Sequence, residues 1–248
     1  MRLTHALLVI VDISGYTDFI TNRSVSLLHA EQIITELMES VIDRAEHPLT
    51  VNKLEGDAAL LFREYRPEAA SDCTTNVLAQ VGGFFPSFAA CLAHIAEQRR
   101  NCGCEACGNT AKLKLKAFVH AGEIAVKKVR QFEELAGEDV ILIHRLLKNT
   151  VPEREYVLLT DTVRALAPDA VPALRPHAEN VESLGPMSLW LARPDDLPAL
   201  PPAAAKPNTV PAEESAYQRD RTFHHLPGRA PAGLGGLWAA LRIRFFGG

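Results

Sequence analysis

Ala6-Leu7-Leu8-Val9-Ile10-Val11-Asp12-Ile13-Ser14-Gly15-Tyr16-Thr17 is the stretch on which the fold turns. Six apolar residues run without a polar break up to Val11. The run is too short for a buried helix and rich in branched side chains, so it predicts a strand buried on both faces. Asp12 follows at the strand end, and Ser14-Gly15-Tyr16-Thr17 turns the chain. The turn supplies backbone N–H groups just ahead of a helix, a natural seat for phosphate.

Outward from this stretch, Ile33-Ile34, Leu37-Met38 and Val41-Ile42 recur at intervals of four, which predicts a helix over about Leu27 to Arg44. Pro48 closes it. Thr50 to Lys53 and Ala58 to Phe62 read as a hairpin hinged at Gly56. Asn76 to Arg99 reads as helical, with Gly82, Gly83 and Pro86 interrupting its first half. After a cysteine-rich loop, Lys112 to His120 alternates as a strand with one wet face, and Gly122 to Val129 reads as a further strand. Asp139 to Leu147 predicts a short helix and Tyr156 to Leu159 another strand. This order predicts an α+β sandwich, a sheet with helices on one face. No internal repeat is visible.

The chain has 248 residues, 47% of them hydrophobic and 23% charged, enough for a core without staples. Its net charge of −4 argues against a general nucleic-acid binder. No uninterrupted apolar run reaches the roughly 18 residues of a membrane span. The apolar stretch behind Met1-Arg2-Leu3 runs straight into Asp12, which does not make a signal peptide. A cytoplasmic protein with five reduced cysteines is the expectation. Residues 1–193 form the expected domain. Half of the 16 prolines fall between Pro194 and Pro231, so 194–232 reads as a Pro/Ala-rich linker or disordered tail. In 233–248, Trp238, Leu241, Phe245 and Phe246 with Arg242 and Arg244 read as a short apolar and basic segment. Packing back on the domain is favoured over membrane contact, because one short element with two charges binds a bilayer weakly.

Asp12 and Asp57 both lie at strand ends beside tight turns. Two carboxylates in oxygen-only surroundings suit Mg²⁺ or Mn²⁺. The plain alternative is two turn-capping aspartates. Cys102-Gly-Cys104-Glu-Ala-Cys107 places three thiolates close enough for Zn²⁺, with Cys91 or His94 as fourth ligand. The alternative is three reduced cysteines on an exposed loop. His120, His144 and the His224-His225 pair receive no catalytic role.

Val11-Asp12-Ile13-Ser14-Gly15-Tyr16-Thr17 resembles the opening motif of class III nucleotide cyclases. Lys53-Leu54-Glu55-Gly56-Asp57 resembles their second motif, Val119-His120-Ala121-Gly122-Glu123 their central hairpin, and Gly137-Glu138-Asp139-Val140 through Arg145 their fourth. The order and rough spacing agree over about residues 6 to 160. The cysteine loop and the segment from Gly137 to Asn149 also resemble those of an uncharacterised bacterial branch of cyclase-like proteins.

The resemblance implies a ferredoxin-like cyclase fold and conversion of a nucleoside triphosphate to a 3′,5′-cyclic nucleotide and pyrophosphate. It implies two Mg²⁺ or Mn²⁺ ions on Asp12, Asp57 and the Ile13 carbonyl, acting as in two-metal displacements. Gly15, Tyr16 and Thr17 would seat the phosphates. Lys53 and Glu134 would read the base, with ATP the favoured substrate. Arg145 would stabilise the transition state across a homodimer interface. Two positions depart from the family pattern. Ile141 stands where the family keeps a ribose-orienting Asn, and Glu134 where it keeps an Asp. Losing a positioning contact costs rate heavily. Two further readings therefore stand beside the enzyme: a nucleotide- and metal-binding regulatory module without turnover, and an interaction scaffold organised by the cysteine loop and tail.

Overall fold

The computed structural model describes residues 1–21 and 27–198. Most of the expected linker, the C-terminal segment 233–248 and His224-His225 lie outside the described residues.

The opening run becomes the 13-residue strand β1 (Arg2–Ser14). It is flanked by β3 (Ala58–Glu64) and β4 (Lys114–Val129), both antiparallel to it. With β2 (Thr50–Glu55), β6 (Tyr156–Thr160), β7 (Arg175–Val181) and β8 (Gly185–Ala192), the sheet order is β2-β3-β1-β4-β6-β8-β7. A further strand, β5 (Phe132–Ala136), pairs with β4 as a hairpin arm. The β4–β6 pairing is parallel and the other pairings are antiparallel, so the sheet is mixed.

Alternation along β1 divides the interior into two cores. Leu7, Val9, Val11 and Ile13 face one, and Ala6, Leu8 and Ile10 face the other. This is why the strand reads as a continuous apolar run rather than an alternating one. The first core is closed by α2 (Leu27–Ile42) and α3 (Ala70–Gln98), with the short helices α1 (Tyr16–Thr21), α4 (Glu105–Asn109) and α6 (Asp161–Leu166) around it. The second core is closed by α5 (Glu138–Arg145). Helices thus cover both faces, not one. The eight residues of α5 suffice because Val140, Leu142 and Ile143 fill the space over β1 and β4.

Helix α3 runs unbroken for 29 residues through Gly82, Gly83 and Pro86, where an interruption is expected from sequence. Val77, Val81, Phe84 and Phe88 are buried against the sheet, at roughly 1.5–3 kcal/mol for each large apolar side chain. That burial outweighs the ladder bond lost at one proline. By length and composition the segment Pro67–Gln98 could cross a bilayer. Its buried face makes it a core helix here. The two strands expected over Lys112 to His120 and Gly122 to Val129 are one strand, and α6, β5, β7 and β8 were not expected from sequence.

Candidate functional site

Register across the sheet gathers the expected residues at one end. Glu55 pairs with Ala58, Ala58 with Asp12, Asp12 with Lys116, and Lys116 with Tyr156. Directly opposed residues point to the same face, so these five form one transverse row on the α5 side. Ala58, between Glu55 and Asp12 in the row, contributes only a methyl. Asp57 sits in the turn just beyond the row. Its carbonyl accepts a hydrogen bond from the Ile13 N–H at 3.0 Å, which ties the Asp57 turn to the end of β1, where Asp12 lies.

Asp12 is held by Lys116, with Nζ 2.8 Å from Oδ2 and both side chains largely buried. Lys53 Nζ lies 3.4 Å from Glu55 Oε1, and His144 Nδ1 lies 3.5 Å from Glu55 Oε2. Burial lowers the His144 pKa, the Glu55 carboxylate raises it and Lys53 lowers it. The two motifs on β2 and α5 are therefore joined through Glu55. Lys116 and Glu55 were not named as site residues from sequence, and His144 was given no catalytic role. The alternation Lys112-Leu-Lys114-Leu-Lys116 carried the signal for Lys116, since its wet face is the one turned to Asp12.

The other expected residues are placed as follows. Gly15 adopts φ +91°, a left-handed conformation that favours glycine, and the Arg154 guanidinium fills the space where a side chain would start. Tyr16 packs on the first core and its hydroxyl donates to Glu31 Oε1 at 3.3 Å. Thr17 lies in the first turn of α1. Glu134 is half-buried on β5, opposite Lys127. Ile141 is 51% exposed on α5. Arg145 donates to the Glu182 carbonyl in the β7–β8 turn of its own chain.

Below the charged row, Asp139 docks the start of α5. Its Oδ1 lies 2.8 Å from His120 Nε2, and its Oδ2 accepts from the Glu123 N–H at 2.7 Å. His120 Nδ1 lies 3.0 Å from Thr160 Oγ1, and Thr160 Oγ1 lies 2.8 Å from Thr162 Oγ1. His120 is thus a satisfied buried histidine. Burial lowers its pKa against the upward pull of Asp139. The folded imidazole stays neutral where an unfolded one, near pH 6.5, begins to protonate. Its contribution to stability is present above about pH 6.5 and is lost as pH falls through the folded value. The thermal midpoint should drop between about pH 7.5 and pH 5.5. A His120→Asn variant should lose part of that drop; an identical pH dependence in the variant would contradict it.

The cysteine loop folds differently from expectation at its fourth position. Cys91 Sγ donates to the Glu36 carbonyl and His94 pairs with Gln98, so neither meets the loop. Instead His29, from the first turns of α2, joins Cys102, Cys104 and Cys107. Their four ligand atoms lie within 4.8 Å of one another. His29 is 73 residues from Cys102. Linear spacing gave no signal for it.

Comparisons with known proteins bear on the family and the fold. The model of the family described as "Protein of unknown function (DUF2652)" matches residues 34–156. The chain is 37% identical over 175 residues to the uncharacterised Mycobacterium tuberculosis protein Rv2561/Rv2562, a match covering 68% of this chain and 78% of that one. Among solved structures, the guanylyl cyclase Cya2 superposes with a TM-score of 0.61 at 15% identity, covering 80% of this chain and 98% of that one. A class III adenylyl cyclase-like ATP-binding protein from Pseudomonas aeruginosa gives a TM-score of 0.56 at 13% identity, covering 68% and 36%. The architecture is the ferredoxin-like fold of nucleotide cyclase domains. At its level of identity and coverage to Rv2561/Rv2562, the chain belongs to the family of that mycobacterial protein.

Proposed function

We propose that this protein binds a nucleoside triphosphate, ATP first, together with Mg²⁺ or Mn²⁺, at the end of the sheet marked by Asp12 and Asp57. The observation that carries this reading is the transverse row, which aligns Glu55 and Asp12 on one face beside the Asp57 turn, with Lys53 at its edge. Asp12, Asp57 and the Ile13 carbonyl would hold the metal. An all-oxygen donor set on a strand end and the turn bonded to it fits a hard divalent cation. Lys116 already supplies one positive charge to Asp12. The second of two ions is therefore the harder to place unless Lys116 moves. When bound, such an ion neutralises phosphate charge and lowers the pKa of an adjacent ribose hydroxyl.

Turnover is the second reading, favoured by four cyclase-like motifs in order along the chain. The ribose 3′-oxygen would bond to the α-phosphorus, the bond to the β-phosphate oxygen would break, pyrophosphate would leave, and the hydroxyl proton would pass to solvent. Two observations weigh toward binding without turnover. Ile141 has no hydrogen-bonding group to orient a ribose. Arg145 is engaged by the Glu182 carbonyl. A homodimer is supported by large apolar side chains left in water. Val129 and Phe132 are 50% and 60% exposed at the tip of the β4–β5 arm, and Leu54 is 57% exposed on β2. The five free cysteines suit a reducing compartment such as the cytoplasm.

The test incubates pure protein with each of the four ribonucleoside triphosphates and Mn²⁺, and separates products by mass. Metal-dependent retention of intact triphosphate is expected. A cyclic monophosphate that vanishes in Asp57→Asn would replace the binding reading with the cyclase. In that case Ile141→Asn should raise turnover by about tenfold or more, because it restores a positioning amide. Absence of any nucleotide binding would leave the scaffold reading.

A further inference from the structure

We propose that His29, Cys102, Cys104 and Cys107 form a structural zinc site that clamps α2 to α4. The claim is independent of nucleotide binding, since none of the four residues belongs to the charged row. A tetrahedral zinc with Zn–S near 2.3 Å and Zn–N near 2.0–2.1 Å requires S···S separations of about 3.8 Å and S···N separations of about 3.6 Å. The observed separations are 3.5 Å for Cys102 Sγ to Cys104 Sγ, and 3.8 Å and 3.5 Å from His29 Nδ1 to Cys102 and Cys104. The sulfurs stand far beyond the roughly 2.05 Å of a disulfide, and all three cysteines are free. The Cys107 N–H points at Cys104 Sγ at 3.5 Å, a backbone donor that supports a thiolate ligand and orients it. Three soft thiolates and an imidazole, their ligand atoms within 4.8 Å of one another, select zinc over the hard cations expected at Asp12.

The location gives the site its role. Residues 102–107 lie between the end of α3 and β4, and α4 carries Asn109 at its end. Asn109 and Lys112 line a cavity of about 200 Å³ together with Gly15, Asp18, Phe19 and Arg154. The β1–α1 turn is thus one wall of this cavity, and the segment following the zinc ligands is another. A metal that ties residues 102–107 to His29 on α2 fixes the second wall against the first. Without it, this five-residue helix, too short to be stable alone, is held by the fully buried Ala106 and by Cys104 and Cys107 packed on the first core.

The experiment is metal analysis of the purified full chain by elemental mass spectrometry, followed by replacement with Co²⁺ and optical absorption. One zinc per chain is expected, with the visible absorption of a tetrahedral, thiolate-bound Co²⁺ after exchange. His29→Ala should weaken zinc binding by about 100-fold or more, since losing even an outer-sphere partner costs 10–100-fold. Cys91→Ser and His94→Ala should keep the full complement. Stripping the metal should lower the thermal midpoint of the wild type and leave that of a Cys102→Ser/Cys104→Ser variant unchanged. If the variants do not fold, the wild-type metal content and the Co²⁺ spectrum still decide. The proposal fails if wild-type protein grown with added zinc carries none and gives an octahedral Co²⁺ spectrum. It also fails if His94→Ala or Cys91→Ser loses the metal while His29→Ala retains it.

Discussion

Gly122→Ala is expected to destabilise the domain by about 3 kcal/mol, from overpacking plus the two hydrogen bonds of the displaced carboxylate. A Cβ at Gly122 would fall on the Asp139 carboxylate. That carboxylate cannot step aside freely, because it is bonded both to His120 Nε2 and to the Glu123 N–H. Displacing it would unseat the first turn of α5 and leave His120, 3% exposed, without its acidic partner. For a domain of this size the thermal midpoint should fall on the order of 10 °C. The double variant Gly122→Ala/Asp139→Ala separates the causes. Once the carboxylate is gone the methyl has room, so the second substitution should cost far less than it does alone, as coupled neighbours do. Additive losses, or an unchanged midpoint in Gly122→Ala, would show that Asp139 does not dock α5 in this way.

The second large effect concerns the charged row. Asp12→Asn and Asp57→Asn each keep side-chain shape while removing a carboxylate proposed as a metal ligand. Each should lower metal-dependent ATP affinity by about 100-fold, the upper end of what loss of a metal's supporting partner costs. Lys116→Met should act in the opposite direction. It removes the ammonium that competes for Asp12, so metal affinity should rise even if stability drops from the loss of a largely buried ion pair. Opposite signs at two residues 2.8 Å apart are hard to obtain from unfolding alone. A fall in affinity for all three variants would point to lost structure and not to metal coordination.

Much of this molecule is legible in its sequence wherever local pattern and tertiary packing agree. The run from Ala6 to Val11 announces a doubly buried strand, and the structure gives it a core on each side. The four-residue periodicity of Ile33 to Ile42 announces α2. The reading of α3 as interrupted overrates local propensity, since the buried Phe84 and Phe88 carry the helix past Gly82, Gly83 and Pro86. Strands β7 and β8 were hidden by prolines and mixed polarity, for β7 lies at the sheet edge, where such residues are tolerated.

For the candidate site, turn chemistry located Asp12 and Asp57, because an Asp at a strand end is a local feature. Partners supplied by other strands were not visible. Lys116 reaches Asp12 only through the β1–β4 register, and His29 reaches the cysteine loop only because α2 packs beside α4. The expected fourth ligands, Cys91 and His94, share a helix face close in sequence, yet Cys91 meets α2 at Glu36 and His94 pairs with Gln98 one turn along its own helix. Sequence proximity was the wrong measure where the fold supplies a ligand from a distance.

The most direct measurement is calorimetric titration of ATP into the wild-type protein and into Asp57→Asn, each with Mn²⁺ added and omitted. Omission, not a chelator, leaves any thiolate-bound zinc in place. The proposed function predicts saturable binding to the wild type that requires Mn²⁺ and is lost in Asp57→Asn. No binding to the wild type, or binding of equal strength without Mn²⁺ and in the variant, would contradict it.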